Sequence, residues 1–289
     1  MVPSPGLELH LDAYEVAGGH RGAPRYLITS PEYQLKRLVA GGLTRIYSLG
    51  KVFRRGEEGP HHNPEFTMLE WYRAGEGWEA VADDVEALVC QAATELGLVP
   101  SGLSLQPPWQ RLTVREAMRR HAGFDLDGDE DVETLRAHAR AAGHRVPPVG
   151  DGDWSDVFFT VFLDAVEPHL SQGPVVLCEW PRPLCALARA KPGDARVVER
   201  FEAYLGGLEL CNGFGELVDP VEQRRRLVAD STERLRRGLP QYPIDERFLA
   251  AVGQMPPSGG VALGVDRLAM LLLGKREIRD VLPFSASEL

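Results

Sequence analysis

Apolar and polar residues alternate most regularly between Thr44 and Arg73. Ile46 to Phe53 is a β-branched and aromatic run that ends on Arg54 as the chain enters Gly56, Gly59, Pro60, His61, His62, Asn63 and Pro64. Glu-Phe-Thr-Met-Leu-Glu-Trp-Tyr-Arg then follows as a second run, residues 65–73. Two strands and a long polar loop are predicted. Side chains alternate along a strand, so Phe66, Met68, Glu70 and Tyr72 share one face, and Thr67, Leu69, Trp71 and Arg73 the other. That face carries a ring, a carboxylate and a phenol in a row. On pattern alone it is equally an ordinary sheet face with an outward glutamate.

Helical spacing marks other stretches. Thr29-Ser30-Pro31-Glu32 opens an amphipathic helix, with Leu35, Leu38 and Val39 on one side and Gly41-Gly42 closing it. Trp78 to Leu96 is a second helix, with a stripe of Val81, Val85, Leu88 and Val89. Residues 97–112 form a Pro-rich connector. Residues 113–196 are expected to be a mostly helical insertion: a capping box at Thr113 to Glu116, a charged helix over 131–142, an apolar one over 155–169 capped by Ser155, and a short buried strand at Val175 to Leu177. Leu7 to Val16 alternates as a strand between loops. Asp219 to Gly238 forms a helix, and Val261 to Val265 a strand that passes into a helix from Asp266 to Leu273.

Composition narrows the function classes. With 289 residues, 44% of them hydrophobic, the chain can bury a sizeable core. A formal charge of −10 disfavours wide contact with nucleic-acid phosphates, which depends on Lys and Arg. Cys90, Cys178, Cys185 and Cys211 form no C-x-x-C pair, so reduced thiols in a cytoplasmic protein are expected. No apolar run reaches the roughly 20 residues that span a bilayer, and no export signal precedes the first predicted elements. Asp125, Asp127, Asp129 and Asp131 alternate like a calcium loop but lack its closing glutamate, which leaves an acidic turn and a helix cap. Arg224, Arg225, Arg226, Arg234, Arg236 and Arg237 crowd one helix, as a solvated face or a docking surface for an acidic partner.

Leu205-Gly206-Gly207-Leu208 is a two-residue hairpin signal. With Leu205 facing Leu208, Tyr204 faces Glu209, and Glu202 lies diagonal to Glu209, about 7 to 8 Å away between α-carbons. Two carboxylates so placed can hold Mg²⁺, or can be solvated glutamates on an exposed sheet.

Phe53-Arg54 to Glu65-Phe-Thr-Met-Leu-Glu-Trp-Tyr72 resembles motif 2 of the class II aminoacyl-tRNA synthetases, in the lysine branch. It is most similar to the short paralogs of lysyl-tRNA synthetase that attach β-lysine to elongation factor P. Gly260-Val-Ala-Leu-Gly-Val-Asp-Arg267 resembles motif 3, and Phe201 to Leu217 resembles the strand pair carrying metal and amino-acid ligands. The resemblance implies one α+β catalytic domain over residues 1–289, an antiparallel sheet flanked by helices. The helix of motif 1, which makes the dimer interface in relatives, has no evident counterpart before Met1. A homodimer is expected if that function is retained.

The resemblance also implies roles. Arg54 and Arg267 are the catalytic arginines: Arg54 meets the α-phosphate of ATP, while Phe66 and Arg267 sandwich adenine. Arg55, Gly56, Glu57, Asn63, Glu209, Leu210 and Gly264 complete the nucleotide site, although Phe53-Arg54-Arg55-Gly56 places Glu57 one residue later than the usual adenine-contacting glutamate. Glu202 and Glu209 hold Mg²⁺. Ser30, Pro31, Glu32, Glu70, Tyr72, Asn212, Phe214, Glu216 and Ala262 line the amino-acid site, with Glu216 on the distal ammonium of lysine. Without the resemblance, Glu32 merely favours the positive end of its helix. Ala262 stands where tRNA-charging relatives usually have Gly. Together with the absence of an anticodon domain in residues 1–25, it directs the expectation to activation of lysine or (R)-β-lysine with ATP and transfer to elongation factor P, without extended tRNA contact. A truncated tRNA ligase and an inactive nucleotide-binding paralog are the alternatives.

Overall fold

The computed structural model describes residues 1–6, 8–19, 22–98, 104–150 and 152–288. In chain order the principal elements begin with α1 (Glu32–Ala40), β1 (Arg45–Phe53), β2 (Glu65–Ala74), α2 (Trp78–Leu96) and β3 (Gln110–Thr113). They continue with α3 (Val114–Ala117), α4 (Val132–Ala141), α5 (Trp154–Val161), β4 (Val175–Pro181), β5 (Ala190–Lys191), β6 (Asp194–Leu205) and β7 (Leu208–Gly215). The last are α6 (Pro220–Arg236), α7 (Glu246–Val252), β8 (Ser258–Gly264) and α8 (Val265–Leu272). Two compact units divide the chain: residues 1–81 with 216–289, and residues 82–215.

In the first unit β2 pairs antiparallel with β1 on one side and β8 on the other. The alternation predicted for β2 is the one observed: Met68, Glu70 and Tyr72 are buried while Thr67, Leu69, Trp71 and Arg73 are only partly so. Leu35 and Val39 of α1 pack with Tyr72 and Met255, which fixes the helix against the strand. Ser30 starts α1 by accepting a hydrogen bond from the Glu32 amide at 2.9 Å. Gly42, at φ +103°, ends it.

The predicted strand from Leu7 to Val16 does not form. Leu7 lies outside the described residues, and of the rest only Glu15 makes an isolated bridge, to Tyr26. The reason is Arg234, buried on α6, whose Nη1 donates to the carbonyls of Glu8, Leu9 and Leu11, each at 2.9 Å. Carbonyls that a strand would have paired with a neighbour go to a guanidinium instead. The expected solvated face holds for Arg224, Arg225 and Arg236, which are exposed, but not for Arg226 and Arg234, which are buried. Arg225 and Arg226 pair with Glu222, Arg236 and Arg237 with Glu233, and Arg224 with Glu246. The run is internally neutralised.

The second unit has β7, β6 and β4 as successive antiparallel neighbours, β3 parallel to β4, and short β5 on β6. Its core lies between this sheet and α3 to α5, where Met118, Leu135, Phe158, Phe162, Leu177 and Trp180 are essentially inaccessible to water. The capping box at Thr113 and Glu116 is present. Ser155 is not the cap of the next helix. Asp153 is, in a capping box with Asp156, and Ser155 donates its hydroxyl to Asp153. The stretch from 113 to 196 is helical only in its first two thirds, because β4, β5 and the start of β6 fill the remainder. The expected connector likewise ends in strand β3, with residues 99–103 outside the described set. Asp125 and Asp127 pair with Arg119 and Arg196, and Asp131 caps α4, as expected for an acidic turn.

Gly206 and Gly207 turn β6 into β7 with φ of +61° and +81°, the two positive values that a type I′ hairpin requires. Leu205 faces Leu208 and Tyr204 faces Glu209, as the sequence predicts. Beyond them the register shifts by one residue, so that Glu202 faces Asn212 and Arg200 faces Phe214. This irregularity at Leu210 carries Asn212 and Phe214 to the face that bears Glu209. Strict alternation would have put them on the other side.

Candidate functional site

Three buried carboxylates converge in the first unit. Glu70 comes from β2, Glu32 from the first turn of α1, and Glu216 from the residue after β7, where its amide donates to the Ser258 carbonyl. Glu70 accepts from the Tyr72 hydroxyl on Oε1 and from the Ser30 hydroxyl on Oε2, both at 2.7 Å. Ser30 thus bridges the start of the helix to the strand. Pro31 is the N-cap residue between Ser30 and Glu32.

Lys36, which sequence reasoning missed, lies among them. One turn along α1 from Glu32, its ammonium is 2.5 Å from a Glu32 oxygen and 2.5 Å from Glu216 Oε2. Its side chain is 1% exposed and that of Glu216 is 0% exposed. Glu216 Oε1 is buried and has no hydrogen-bond partner among the described residues. The only hint in the sequence was the i, i+4 spacing of Glu32 and Lys36, which more often marks a surface pair. Burial opposes the charge on Lys36, yet the carboxylates of Glu216 and Glu32 hold it above the ordinary lysine range. Burial pushes Glu70 up to about 8, the charge of Glu32 adding to the effect. Burial likewise pushes Glu216 up to about 7, Lys36 acting in the opposite sense.

Small residues face this cluster. Along β8, Gly260, Ala262 and Gly264 stand in register with Tyr72, Glu70 and Met68. The methyl of Ala262 therefore shares the sheet face with Glu70. At Gly260 a Cβ would collide with both the Tyr72 ring and Glu216.

The loop between β1 and β2 carries residues expected to contact the nucleotide. The Arg54 guanidinium lies over the Phe66 ring, 5.2 Å from its centroid, and pairs loosely with Glu57 at 3.7 Å. Arg55 is held away from them by Asp12, through a backbone hydrogen bond of 2.7 Å and an ion pair of 3.1 Å. Gly56 turns the loop at φ +82°. Asn63, a nucleotide-site residue by resemblance, lies in the same loop. Its amide ties the loop down, Nδ2 donating to the Glu65 carbonyl and Oδ1 accepting from the Ala286 amide. Arg267, at the start of α8, donates to the His61 carbonyl at 3.2 Å and to His62 Nε2 at 2.6 Å. The preceding Asp266 accepts from the Thr67 amide, which locks the strand-to-helix junction onto β2.

A second constellation lies in the other unit. Glu202 is buried, accepting from the Tyr204 hydroxyl and from Arg200, each at 2.6 Å. Arg200 in turn lies over the Trp180 ring, 4.5 Å from its centroid. Burial pushes Glu202 up to about 7, with the charge of Glu209 the next cause. Asn212, opposite Glu202, has a buried Oδ1 without a hydrogen-bond partner. Phe214 packs against the core, and Leu210 is buried at the register shift. No cluster of three or more His, Cys, Asp or Glu able to hold a metal occurs among the described residues. The donor set still fits Mg²⁺. Two carboxylates repel one another here, an amide oxygen is unsatisfied, and a hard cation of this size takes few protein oxygens and completes its shell with water and phosphate.

Residues 10–288 match the profile of the tRNA synthetases class II (D, K and N). The chain belongs to that family. Its antiparallel strands with flanking helices make it an α+β member. Among relatives within and around this synthetase family, the lysine–tRNA ligase of Dehalococcoides mccartyi strain CBDB1 is 39% identical over 269 residues, 90% of this chain and 53% of that protein. The chain thus spans about half the length of the lysine–tRNA ligases it matches. The elongation factor P–(R)-β-lysine ligase of Klebsiella pneumoniae strain 342 is 39% identical over 284 residues, 96% of this chain and 84% of that protein. Its counterpart in Salmonella heidelberg strain SL476 is 38% identical over 284 residues. No helix among the described residues is long and apolar enough to cross a membrane.

Proposed function

We propose that this synthetase-family protein is an ATP-dependent ligase that activates (R)-β-lysine or lysine as its adenylate and transfers it to a lysine side chain of elongation factor P. The observation that carries the substrate class is the buried group of Glu32, Glu70 and Glu216 around a single internal cation, Lys36. Three carboxylates against one ammonium leave a charge of −2 when ionised, which complements a ligand with two ammonium groups.

The chemistry assigned to each residue follows from its place. Glu32 and Glu216 bind the distal ammonium, while Glu70, oriented by Tyr72 and Ser30, receives the other. Arg54 takes the α-phosphate, and Phe66 and Arg267 take the adenine. Attack of the substrate carboxylate on the α-phosphorus forms the mixed anhydride and expels pyrophosphate. The reaction needs no protein nucleophile. Arg54 and Arg267 stabilise the negative charge that grows on the phosphoryl oxygens. Glu202 and Glu209 of the second unit would hold Mg²⁺, which when bound supplies Lewis-acid stabilisation of phosphate charge. The acyl group then passes to an acceptor amine.

Protein lysylation is favoured by Ala262. Its methyl sits beside Glu70 at a position where the tRNA-charging relatives resembled here usually carry Gly, and it narrows the pocket. The net charge of −10 is in keeping with little tRNA contact. A homodimer in the cytoplasm, with its four free thiols reduced, belongs to the same reading.

ATP–pyrophosphate exchange without tRNA, comparing L-lysine, (R)-β-lysine and no amino acid, tests the activation step. Exchange should depend on the amino acid and be strongest with (R)-β-lysine. A folded protein that exchanges with neither would overturn the assignment in favour of a binding paralog.

A further inference from the structure

A carboxylate as deeply buried as Glu216 stays charged only with a counter-ion at hand. Among the described residues Lys36 is the one cation placed to serve it, 2.5 Å from Oε2, and Oε1 accepts no hydrogen bond. Lys36 is locked in turn. Glu32 holds it at 2.5 Å, and its ammonium lies 5.9 Å from the centroid of the Phe248 ring. Phe248 is stacked on Tyr33 with centroids 3.8 Å apart. The ammonium is thus fixed by two carboxylates and an aromatic wall supplied by α7.

We propose that Lys36 is a positioning residue of the amino-acid pocket: it keeps Glu216 ionised and its carboxylate fixed by Oε2, so that Oε1 is left as the acceptor for a substrate ammonium. This role rests on the diamino-acid reading of the pocket. It differs from that of a competing internal ligand, which would fill the place of the substrate ammonium and weaken binding. The titratable groups around Glu216 are Lys36 and Glu32 from α1 and Tyr72 from β2. Only Lys36 among them is positive. Without it Glu216 faces an acid, Glu32, and a phenol, and it would keep a proton at neutral pH. A protonated Glu216 cannot pair with an ammonium as a carboxylate does.

Lys36→Met preserves the length of the side chain and removes its charge. Its dissociation constant for L-lysine, measured by calorimetry, should rise about ten-fold or more at pH 7.5 for each unit by which Glu216 is shifted upward past that pH, and should recover toward the wild-type value at pH 9. In pyrophosphate exchange the KM for the amino acid should rise while the KM for ATP and kcat at saturating amino acid stay near wild type. Equal or tighter lysine binding at pH 7.5, with an unchanged pH profile, would overturn the proposal. If Lys36→Met fails to fold, Lys36→Gln removes the charge while keeping a polar end and is measured in the same way, with the same two outcomes.

A ligand-free measurement separates this proposal from the substrate assignment. By carboxyl ¹³C NMR, Glu216 should titrate at higher pH in Lys36→Met, or in Lys36→Gln, than in the wild type. Identical titration overturns the role of Lys36 whatever amino acid the protein binds. Failure of the wild type to bind or activate either lysine overturns the substrate reading alone.

Discussion

Gly260 lies so close to Glu216 that a Cβ built on it would stand 2.3 Å from Glu216 Oε1. The same atom would be 2.3 Å from Cε1 of Tyr72. Neither neighbour has room to retreat, since Glu216 is tied to Lys36 and Tyr72 to Glu70. Gly260→Ala should therefore force the carboxylate and the phenol apart. We expect a loss of about 1 to 3 kcal/mol in stability by urea unfolding, the usual range for overpacking. Lysine affinity should fall further than the affinity for ATP. Wild-type lysine binding by this variant would show that Glu216 and Tyr72 do not form the ligand site.

Glu209 is the more accessible member of the second carboxylate pair, and Glu202 is the one already held by Arg200 and Tyr204. Glu209→Gln should accordingly leave the fold intact while lowering Mg²⁺-dependent exchange by about 100-fold or more, the scale seen when an electrostatic group that acts in a transition state is lost. Unchanged exchange with unchanged Mg²⁺ dependence would remove the metal assignment.

Hydrophobic spacing and turn residues foretold the local frame well. β1, β2, α2, the Gly206-Gly207 hairpin and the β8-to-α8 junction depend on neighbours in sequence, and all are present. The residues expected around the amino-acid ligand in the first unit, Ser30, Glu32, Glu70, Tyr72, Glu216 and Ala262, do come together, although the roles given to them await experiment. Features built by distant residues were not legible. Arg234 captures the carbonyls of Glu8, Leu9 and Leu11, 223 residues away or more, which no local pattern announces and which cancels the strand expected at residues 7–16. The register shift at Leu210 is equally silent in sequence, because a run such as Glu209-Leu-Cys-Asn212 alternates plausibly in either register. Nothing in the apolar spacing of α1 marks Lys36, and only the fold shows it inside.

Arg234 gives a stability test outside the amino-acid pocket. It is inaccessible to water and makes hydrogen bonds to Glu8, Leu9 and Leu11 together with an ion pair to Asp12 at 2.6 Å. Arg234→Met strands those carbonyls and leaves Asp12 to Arg55 alone. A destabilisation of about 3 to 5 kcal/mol is expected in chemical denaturation. Because Asp12 also anchors Arg55, beside Arg54, the KM for ATP should rise in the variant under conditions where it remains folded. A change below about 1 kcal/mol would mean that the clasp contributes little.

The acid cluster also sets a pH dependence. Glu216 and Glu70 titrate at about 7 and about 8 in the folded protein, against 4.5 as the ordinary value. Below 4.5 both are protonated in the folded and unfolded states and incur no penalty. As pH rises from there through 7 and 8 the unfolded chain releases its protons first, so the stability of the ligand-free protein falls across this window. Ligand ammonium groups favour the ionised form, so lysine affinity should increase from pH 6 to pH 8.5. Calorimetry across that range checks it. Affinity that is flat, or that declines with rising pH, would contradict the assignment of these carboxylates to the ammonium groups.

The acceptor is the heart of the account, and it can be read in one mass spectrum. Purified elongation factor P and lysine tRNA are incubated together with the protein, ATP, Mg²⁺ and (R)-β-lysine, and both acceptors are then analysed. The account predicts elongation factor P heavier by one lysyl group on a single lysine side chain, with the tRNA uncharged. Charged tRNA beside unmodified elongation factor P would contradict it and identify a tRNA ligase.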